Sequence, residues 1–379
     1  MLVTSLRGDP KILPISAARQ IASGVASRIQ QTGDELSFPE TDIAALDQYG
    51  LLHAPFPMEV GGEGLALGAA ACDKLLHVLR ALGAGSLPLG RLFEGHVNAV
   101  ALIGLYGTQE QLAALACRRA SSALLAVWNT DDPSAPLRLI SDGNGWRLMG
   151  RKVLCSGAGF IERPLVTARD ESGRILMVMP YLRRGERADL SKWTPTGMQA
   201  SATGSVDLTN LLVTNAELVG DEEDYHRQPA FSGGAWRFAA VHLGAMEALL
   251  DLCREHHLST RRGAEPHQAA RLAQGMTAVE TARLWVERAA FLAEVRNENA
   301  QATVAYVNLA RLAVERAALD LIELVQRSIG LASFLRPHPV ERITRDLATY
   351  LRQPAPDRAL VAAAEWVLDC EQTIADLWS

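Results

Sequence analysis

Asp142-Gly143-Asn144-Gly145-Trp146-Arg147-Leu148-Met149 is a turn running into a short apolar strand. Asn and Gly accept the positive φ of a two-residue hairpin loop, so the first four residues are a strong hairpin signal. The same texture continues on both sides. Short apolar runs at Leu124–Val127, Leu165–Ala168, Ile175–Met179 and Val206–Leu208 are separated by clusters of Asp, Gly, Pro and Ser. Spacing of this kind predicts an all-β unit, here a barrel over residues 121–222. The acidic run Asp221–Asp224 marks its end.

The flanks read differently. Upstream, Ile15–Ile29 carries apolar residues at helical spacing. Phe38-Pro39-Glu40 opens a second helix with Ile43, Leu46 and Leu51 on one face. Pro55, Pro57 and Gly61-Gly62-Glu63-Gly64 interrupt the pattern, which resumes over Cys72–Leu82 and Arg91–Leu105. Gly107-Thr108-Gln109-Glu110 reads as a stop followed by a capping-box start. Residues 1–120 are therefore expected to form a helical domain. Downstream, Arg237–His257, Glu265–Glu294, Ala302–Ile329 and Asp357–Leu377 all run well past the usual ~11–12 residues. They predict a four-helix bundle over residues 228–379. The fold class is mainly α with a β-barrel middle domain. A doubly wound sheet is excluded, because it needs strands and helices in alternation.

Composition narrows the function. The chain has 379 residues, 48% hydrophobic and 21% charged, the profile of a folded globular protein rather than a disordered one. Its 58 alanines favour helix. A net charge of −6 argues against nucleic acid as the partner. Uncharged stretches fall short of the ~18–20 residues of a membrane span. Arg7, Asp9 and Lys11 stand where a signal peptide would be apolar, so no export is expected. Five scattered cysteines without C-x-x-C read as reduced thiols of a cytoplasmic protein. No dinucleotide fingerprint, P-loop or metalloprotease motif occurs. His256-His257 reads as a solvated pair, since adjacent helical residues point in different directions.

The three-part order resembles the acyl-CoA dehydrogenase superfamily of flavoproteins from about Phe38 to Leu368. Phe38-Pro39-Glu40, Gly50-Leu51-Leu52 and Gly61–Leu65 are similar to its N-terminal signature, and Tyr106-Gly107-Thr108-Gln109-Glu110-Gln111 to its Y-G-T-E-E-Q element. Val127-Trp128-Asn129-Thr130-Asp131 sits where the family has its first flavin-contacting strand and loop. Gly150-Arg151-Lys152-Val153-Leu154-Cys155-Ser156-Gly157 resembles the G-x-K-x-W-I-T-N strand. The resemblance puts Ser156 where a hydroxyl hydrogen-bonds flavin N5, and Leu154 where a Trp packs on the ring. It implies FAD, with Trp128, Asn129, Thr130, Leu154 and Ser156 as contacts. Arg261, within Thr260-Arg261-Arg262, resembles the segment that reaches a neighbouring subunit's flavin. Gln326 and Gly330 fall in a Q-I-x-G-G element on the adenine-diphosphate part. Pro339-Val340-Glu341-Arg342 with Arg345-Asp346 is similar to P-V-E-K…R-D, and Arg345-Asp346 is expected to be an inter-helix ion pair.

The family's base is where the match breaks. A dehydrogenase needs a carboxylate within reach of the substrate α-proton. In most members it lies eight residues after the R-D aspartate, which here is Pro354. In others it precedes an arginine that matches Arg237, where this chain has Trp236. The acyl-CoA contact G-S-D is replaced by Pro133-Ser134-Ala135-Pro136. The resemblance therefore implies a flavin oxidoreductase acting on an acyl thioester or related small molecule without the usual glutamate. The alternatives are a monooxygenase or oxidase of the same fold, served by a flavin reductase or electron-transfer partner, and a non-catalytic flavin-binding scaffold. His96, on the helix matching the acyl-pocket wall, is the candidate base, with His242 a lesser one. Apolar residues on several faces of Leu309–Leu324 and Leu360–Leu368 predict a homodimer or homotetramer.

Overall fold

The computed structural model describes residues 13–118, 124–295 and 299–378. The reading of Arg7, Asp9 and Lys11, and the boundary at residues 120–121, fall outside them.

Five helices come first: α1 (Pro14–Thr32), α2 (Glu40–Gln48), α3 (Ala69–Gly85), α4 (Leu87–Tyr106) and α5 (Gln109–Ala116). Helix α4 is apolar nearly all round and lies at the centre of the helical layer. The capping box is complete. Thr108 Oγ1 accepts from Gln111 N at 3.2 Å, and Gln111 Oε1 accepts from Thr108 N at 3.0 Å. Gln111 also donates to the carbonyls of Ala216 and Leu218, tying α5 to the strands.

Ten strands follow: β1 (Leu125–Trp128), β2 (Arg138–Asp142), β3 (Gly145–Met149), β4 (Arg151–Cys155), β5 (Arg163–Asp170), β6 (Ile175–Val178), β7 (Ala188–Asp189), β8 (Gly204–Asp207), β9 (Leu211–Val213) and β10 (Leu218–Val219). They make two curled sheets. The larger runs β10-β6-β5-β2-β3-β9 with β1 added parallel to β5, and the smaller runs β4-β8-β7. An Asp131↔Lys152 bridge links the start of β4 to the chain leaving β1. The hairpin forms as read, with Asp142 opposite Gly145 and Gly143 at φ +62°. Strands β2, β7, β9 and β10, two to five residues long, were not read from the sequence.

The chain then returns to helices: a short α6 (Ala230–Gly233), α7 (Ala235–Ser259), α8 (Pro266–Glu294), α9 (Ala300–Ile329), α10 (Pro339–Tyr350) and α11 (Pro356–Asp369). Two expectations need correction. Helix α10 stands beyond the four read from sequence. Its Val340, Ile343, Leu347 and Tyr350 are buried at helical spacing behind an N-terminal proline. Helix α11 stops at Asp369 instead of running to Leu377. The chain turns back there because Trp378 anchors on the bundle. Its indole donates to the Ala302 carbonyl at 3.0 Å and its ring packs on Tyr306 and Trp366.

Helices α3 and α7 cross backbone to backbone. A Cβ at Gly83 would land on the Val241 carbonyl, and one at Gly244 on the Arg80 carbonyl. This crossing fixes the N-terminal helices on the bundle. Among the described residues no helix is long and apolar enough to cross a membrane, and all five cysteines are unpaired.

Candidate functional site

The end of β1 and the end of β4 meet in one patch. Trp128 is buried, and its indole donates to the Ser156 carbonyl at 3.0 Å. Val153 N donates to the Thr130 carbonyl at 2.9 Å. Lys152 is 1% exposed and organises the loop between them. Its ammonium donates to the Asn129 carbonyl at 2.8 Å, to Asp131 at 2.6 Å and to Thr167 at 3.0 Å. Burial lowers the Lys152 pKa, and Asp131 opposes that shift. Thr167 Oγ1 in turn donates to Asn129 Oδ1 at 2.7 Å. That fixes the Asn129 amide with its NH₂ left to donate. Sequence reading singled out Asn129 but not Lys152 or Thr167, which hold it.

Leu154 has φ +56° and is 60% exposed, so an apolar face stands open beside these donors. Ser156 is buried, and its Oγ accepts from Thr203 at 3.1 Å. Gly157 backs onto Leu92 of α4, so the patch rests on the helical layer. Five of the resemblance-derived contacts, Trp128, Asn129, Thr130, Leu154 and Ser156, are thus neighbours. Two polar donors beside an open apolar surface suit the acceptor-rich edge and apolar face of a flavin ring.

Arg261, Gln326 and Gly330 lie elsewhere. Arg261 follows α7 at φ +57°, and Gly330 caps α9 by donating its N–H to the Gln326 carbonyl. Among the described residues no hydrogen bond or ion pair joins this group to the β1–β4 patch. His257 corrects the reading of a solvated pair. It is 2% exposed, with Nε2 3.7 Å from Cys253 Sγ, because the last turn of α7 packs inward. A cleft of about 640 Å³, lined by Arg19, His77, Arg80, Glu247, Asp251 and Arg342 among others, shares no residue with either group.

The two candidate histidines are both buried. His96 is fully buried, donates through Nε2 to the Leu52 carbonyl at 2.8 Å and accepts the Leu125 N–H through Nδ1 at 3.1 Å. Burial holds its pKa down at about 4. Both ring nitrogens are occupied, Nδ1 in seating β1 on α4 and Nε2 in holding the segment after α2, which is a structural role. His242 is also buried, edge-on to Tyr350 at 4.5 Å, with Nε2 unpartnered. Burial, helped by Arg311, brings its pKa down to about 3.

Trp236 and Pro354, the two positions that the resemblance matched to the family's base, make other contacts. Trp236 Nε1 donates to Glu294 at 3.1 Å. The Pro354 carbonyl accepts from Arg311 at 2.7 Å. Two buried carboxylates stand nearby, both locked. Glu294 receives Arg237 at 2.6 Å and the Gly68 N–H at 3.1 Å. Glu94 receives Arg91 and Asn98. The expected Arg345–Asp346 pair is not made. Arg345 binds Glu35 and Glu341, each at 2.8 Å, while Asp346 accepts the Met198 N–H at 2.7 Å. Adjacent residues on α10 face different neighbours, which sequence adjacency hid.

Sequence models of the acyl-CoA dehydrogenase N-terminal and C-terminal domains match residues 15–121 and 236–352. The chain belongs to the acyl-CoA dehydrogenase family. Within this family it is 25% identical, over 85% of its length and 87% of the relative's, to the probable acyl-CoA dehydrogenase YngJ of Bacillus subtilis. It is 28% identical, over 72% of its length and 68% of the relative's, to a dibenzothiophene monooxygenase of Rhodococcus erythropolis. Among solved structures, TdsC of Paenibacillus sp. A11-2, in complex with FMN and indole, superposes with a TM-score of 0.81. That match has 19% identity and covers 97% of this chain and 100% of TdsC. The acyl-CoA dehydrogenase fold is therefore shared with proteins of more than one named activity.

Proposed function

We propose that the chain is a flavin-dependent monooxygenase built on the acyl-CoA dehydrogenase fold. The observation that carries this reading is at Pro354. Where the fold would hold a proton-accepting carboxylate, this chain has a proline whose carbonyl is tied to Arg311. The second base position, Trp236, is bound to Glu294. Oxygen transfer needs no α-proton base. A flavin, when bound, would supply the two electrons that reduce dioxygen, one oxygen atom going to the substrate and the other to water. Ser156 and Asn129 would present donors to the ring edge, and Leu154 an apolar contact to its face. The likeness to the dibenzothiophene monooxygenase supports the same reading. The flavin of the TdsC complex is FMN. Arg261, Gln326 and Gly330 would meet a longer FAD only if a second subunit brought them to the patch. A reductase partner would deliver the reduced flavin.

A thioester dehydrogenase is the second reading, supported by the similarity to YngJ. One comparison separates the two. The protein is supplied with reduced FMN and ¹⁸O₂, and indole or dibenzothiophene is scored for label by mass spectrometry. In parallel, butyryl-, octanoyl- and palmitoyl-CoA are tried with an artificial electron acceptor. Label is expected in product from the first arm. Acyl-CoA turnover is expected ~10²–10⁴-fold below that of an enzyme with a positioned base. Acyl-CoA turnover near the enzyme-typical ~10 s⁻¹ would overturn the proposal.

We also propose a homodimer or homotetramer. Met276, Leu284 and Phe291 are half-exposed along α8 at intervals of about two turns, and Leu360 and Leu368 are exposed on α11. A second copy covers such stripes with closed symmetry. Sedimentation at micromolar concentration is expected to show no stable monomer.

A further inference from the structure

We propose that Thr203, backed by Ser201, is a positioning residue that turns the Ser156 hydroxyl outward as a hydrogen-bond donor to the flavin. The proposal rests on the flavin reading of the β1–β4 patch. It concerns three hydroxyls in a row. Ser201, Thr203 and Ser156 are 1%, 7% and 8% exposed. Ser201 Oγ lies 2.8 Å from both the Met198 carbonyl and Thr203 Oγ1. Thr203 Oγ1 donates to Ser156 Oγ at 3.1 Å. Each hydroxyl has one proton. Since Thr203 spends its proton on Ser156, the proton in the Ser201–Thr203 contact is that of Ser201, which can also turn to the Met198 carbonyl. The Ser156 proton alone has no internal acceptor among the described residues. It is left for whatever occupies the patch.

The backbone behind the row is strained, and the strain is held by named contacts. Met198 and Ala202 both sit in the left-handed region, at φ +63° and +43°, a strained conformation for a residue with a side chain. Asp346 on α10 takes the Met198 N–H at 2.7 Å, and Thr349 takes the Gly197 N–H at 3.1 Å. From the other side, Gly157 and Ala158 donate to the carbonyls of Ser201 and Ala202 at 2.8 and 3.0 Å. A Cβ on Gly197 would strike the Arg345 carbonyl. The turn from Met198 to Ala202 is thus clamped between α10 and the loop that carries Ser156. Clamped strain of this kind places side chains, and those it places are Ser201 and, one residue on, Thr203.

The test is a double-mutant cycle read by flavin binding. FMN is titrated into apo-protein of the wild type, Thr203→Val, Ser156→Ala and the double variant, following flavin fluorescence and the visible spectrum. Thr203→Val is expected to raise Kd about 2–10-fold, the worth of one neutral hydrogen bond, and to shift the absorption band. Thr203→Ser should restore both. In the Ser156→Ala background Thr203→Val should change Kd less than about twofold, because its effect passes through Ser156. Ser201→Ala is the second variant, expected to act in the same direction and to be silent in the same background. Equal effects of Thr203→Val with and without Ser156 would overturn the proposal and make Thr203 a support of the turn alone. So would loss of FMN binding beyond about 100-fold. A wild-type chain that binds neither FMN nor FAD would overturn the flavin reading itself, and this proposal with it.

Discussion

Acidification from about pH 7.5 to pH 5 is expected to remove about 2 kcal/mol of stability for each of two buried histidines, and His242→Phe to cancel one of those losses. Burial holds His96 down at about 4, with neighbouring His53 in the same direction and the Leu52 carbonyl opposing. Burial and then Arg311 bring His242 to about 3, against a Tyr350 backbone contact. An unfolded histidine takes a proton near 6.5. Below that value the unfolded chain binds protons that the folded chain refuses, so stability falls as pH falls. At pH 5 the gap is about 1.5 units per histidine, at ~1.4 kcal/mol per unit. The fall from His96 ends near pH 4, and that from His242 near pH 3. Asp346 works the other way. Burial raises its carboxyl to about 6, so it regains a little over 1 kcal/mol between pH 6 and 5. The net loss of roughly 3 kcal/mol is large against the 5–15 kcal/mol of a whole domain. Phenylalanine keeps a ring against Tyr350 and Phe238 and removes the unpartnered Nε2. Urea midpoints at the two pH values decide the matter. An equal pH loss in wild type and His242→Phe would show that His242 is hydrated.

Much of the fold was legible because periodicity is local. The hairpin at Asp142–Gly145, the capping residue Thr108 and the span of α8 lie within a residue or two of their sequence positions. Helix α10 was missed, although Pro339 and the helical spacing of Val340, Ile343, Leu347 and Tyr350 are local signals that would have marked it. The site was legible only where a family pattern supplied it. Ser156 could be matched by its strand, yet nothing local marks Thr203, 47 residues on, as its partner. Met198 and Asp346 are 148 residues apart. Met198–Thr203 has no period and reads as loop, because its conformation is imposed by contacts from two other elements. His96 misled for the same reason. A histidine on a pocket-facing helix and one that bolts a strand to that helix have the same letters around them, and only the partners at Leu52 and Leu125 distinguish them.

The buried pair Arg237–Glu294 makes a sharp stability test and bears on the proposed absence of a carboxylate base. The two side chains are 7% and 8% exposed and meet at 2.6 Å. Arg237 also donates to Asn98 at 3.0 Å and to the Ala66 carbonyl at 3.3 Å. Asn98 in turn donates to Glu94. The chain of contacts thus binds α7 to α4 and to the end of α8. Arg237→Met removes the cation and leaves the Glu294 carboxylate buried with only Trp236 and the Gly68 N–H. Breaking one side of a buried pair costs about 3–5 kcal/mol, mostly the uncompensated charge. Arg237→Met/Glu294→Leu removes both charges, and by the same reasoning should recover most of that loss. Urea unfolding of the three proteins at neutral pH measures it. A single variant within 1 kcal/mol of wild type, by the scale of exposed pairs, would mean that water reaches Glu294. The result also bears on function. Glu294 is bonded to Trp236, a position that the resemblance matched to the family's base, and is committed to Arg237, Trp236 and the Gly68 backbone. A carboxylate whose partner's removal costs that much stability is a structural counter-ion. Glu294 is thus held in contacts beside Trp236, in keeping with the oxygen transfer proposed for the β1–β4 patch, which draws on no carboxylate there.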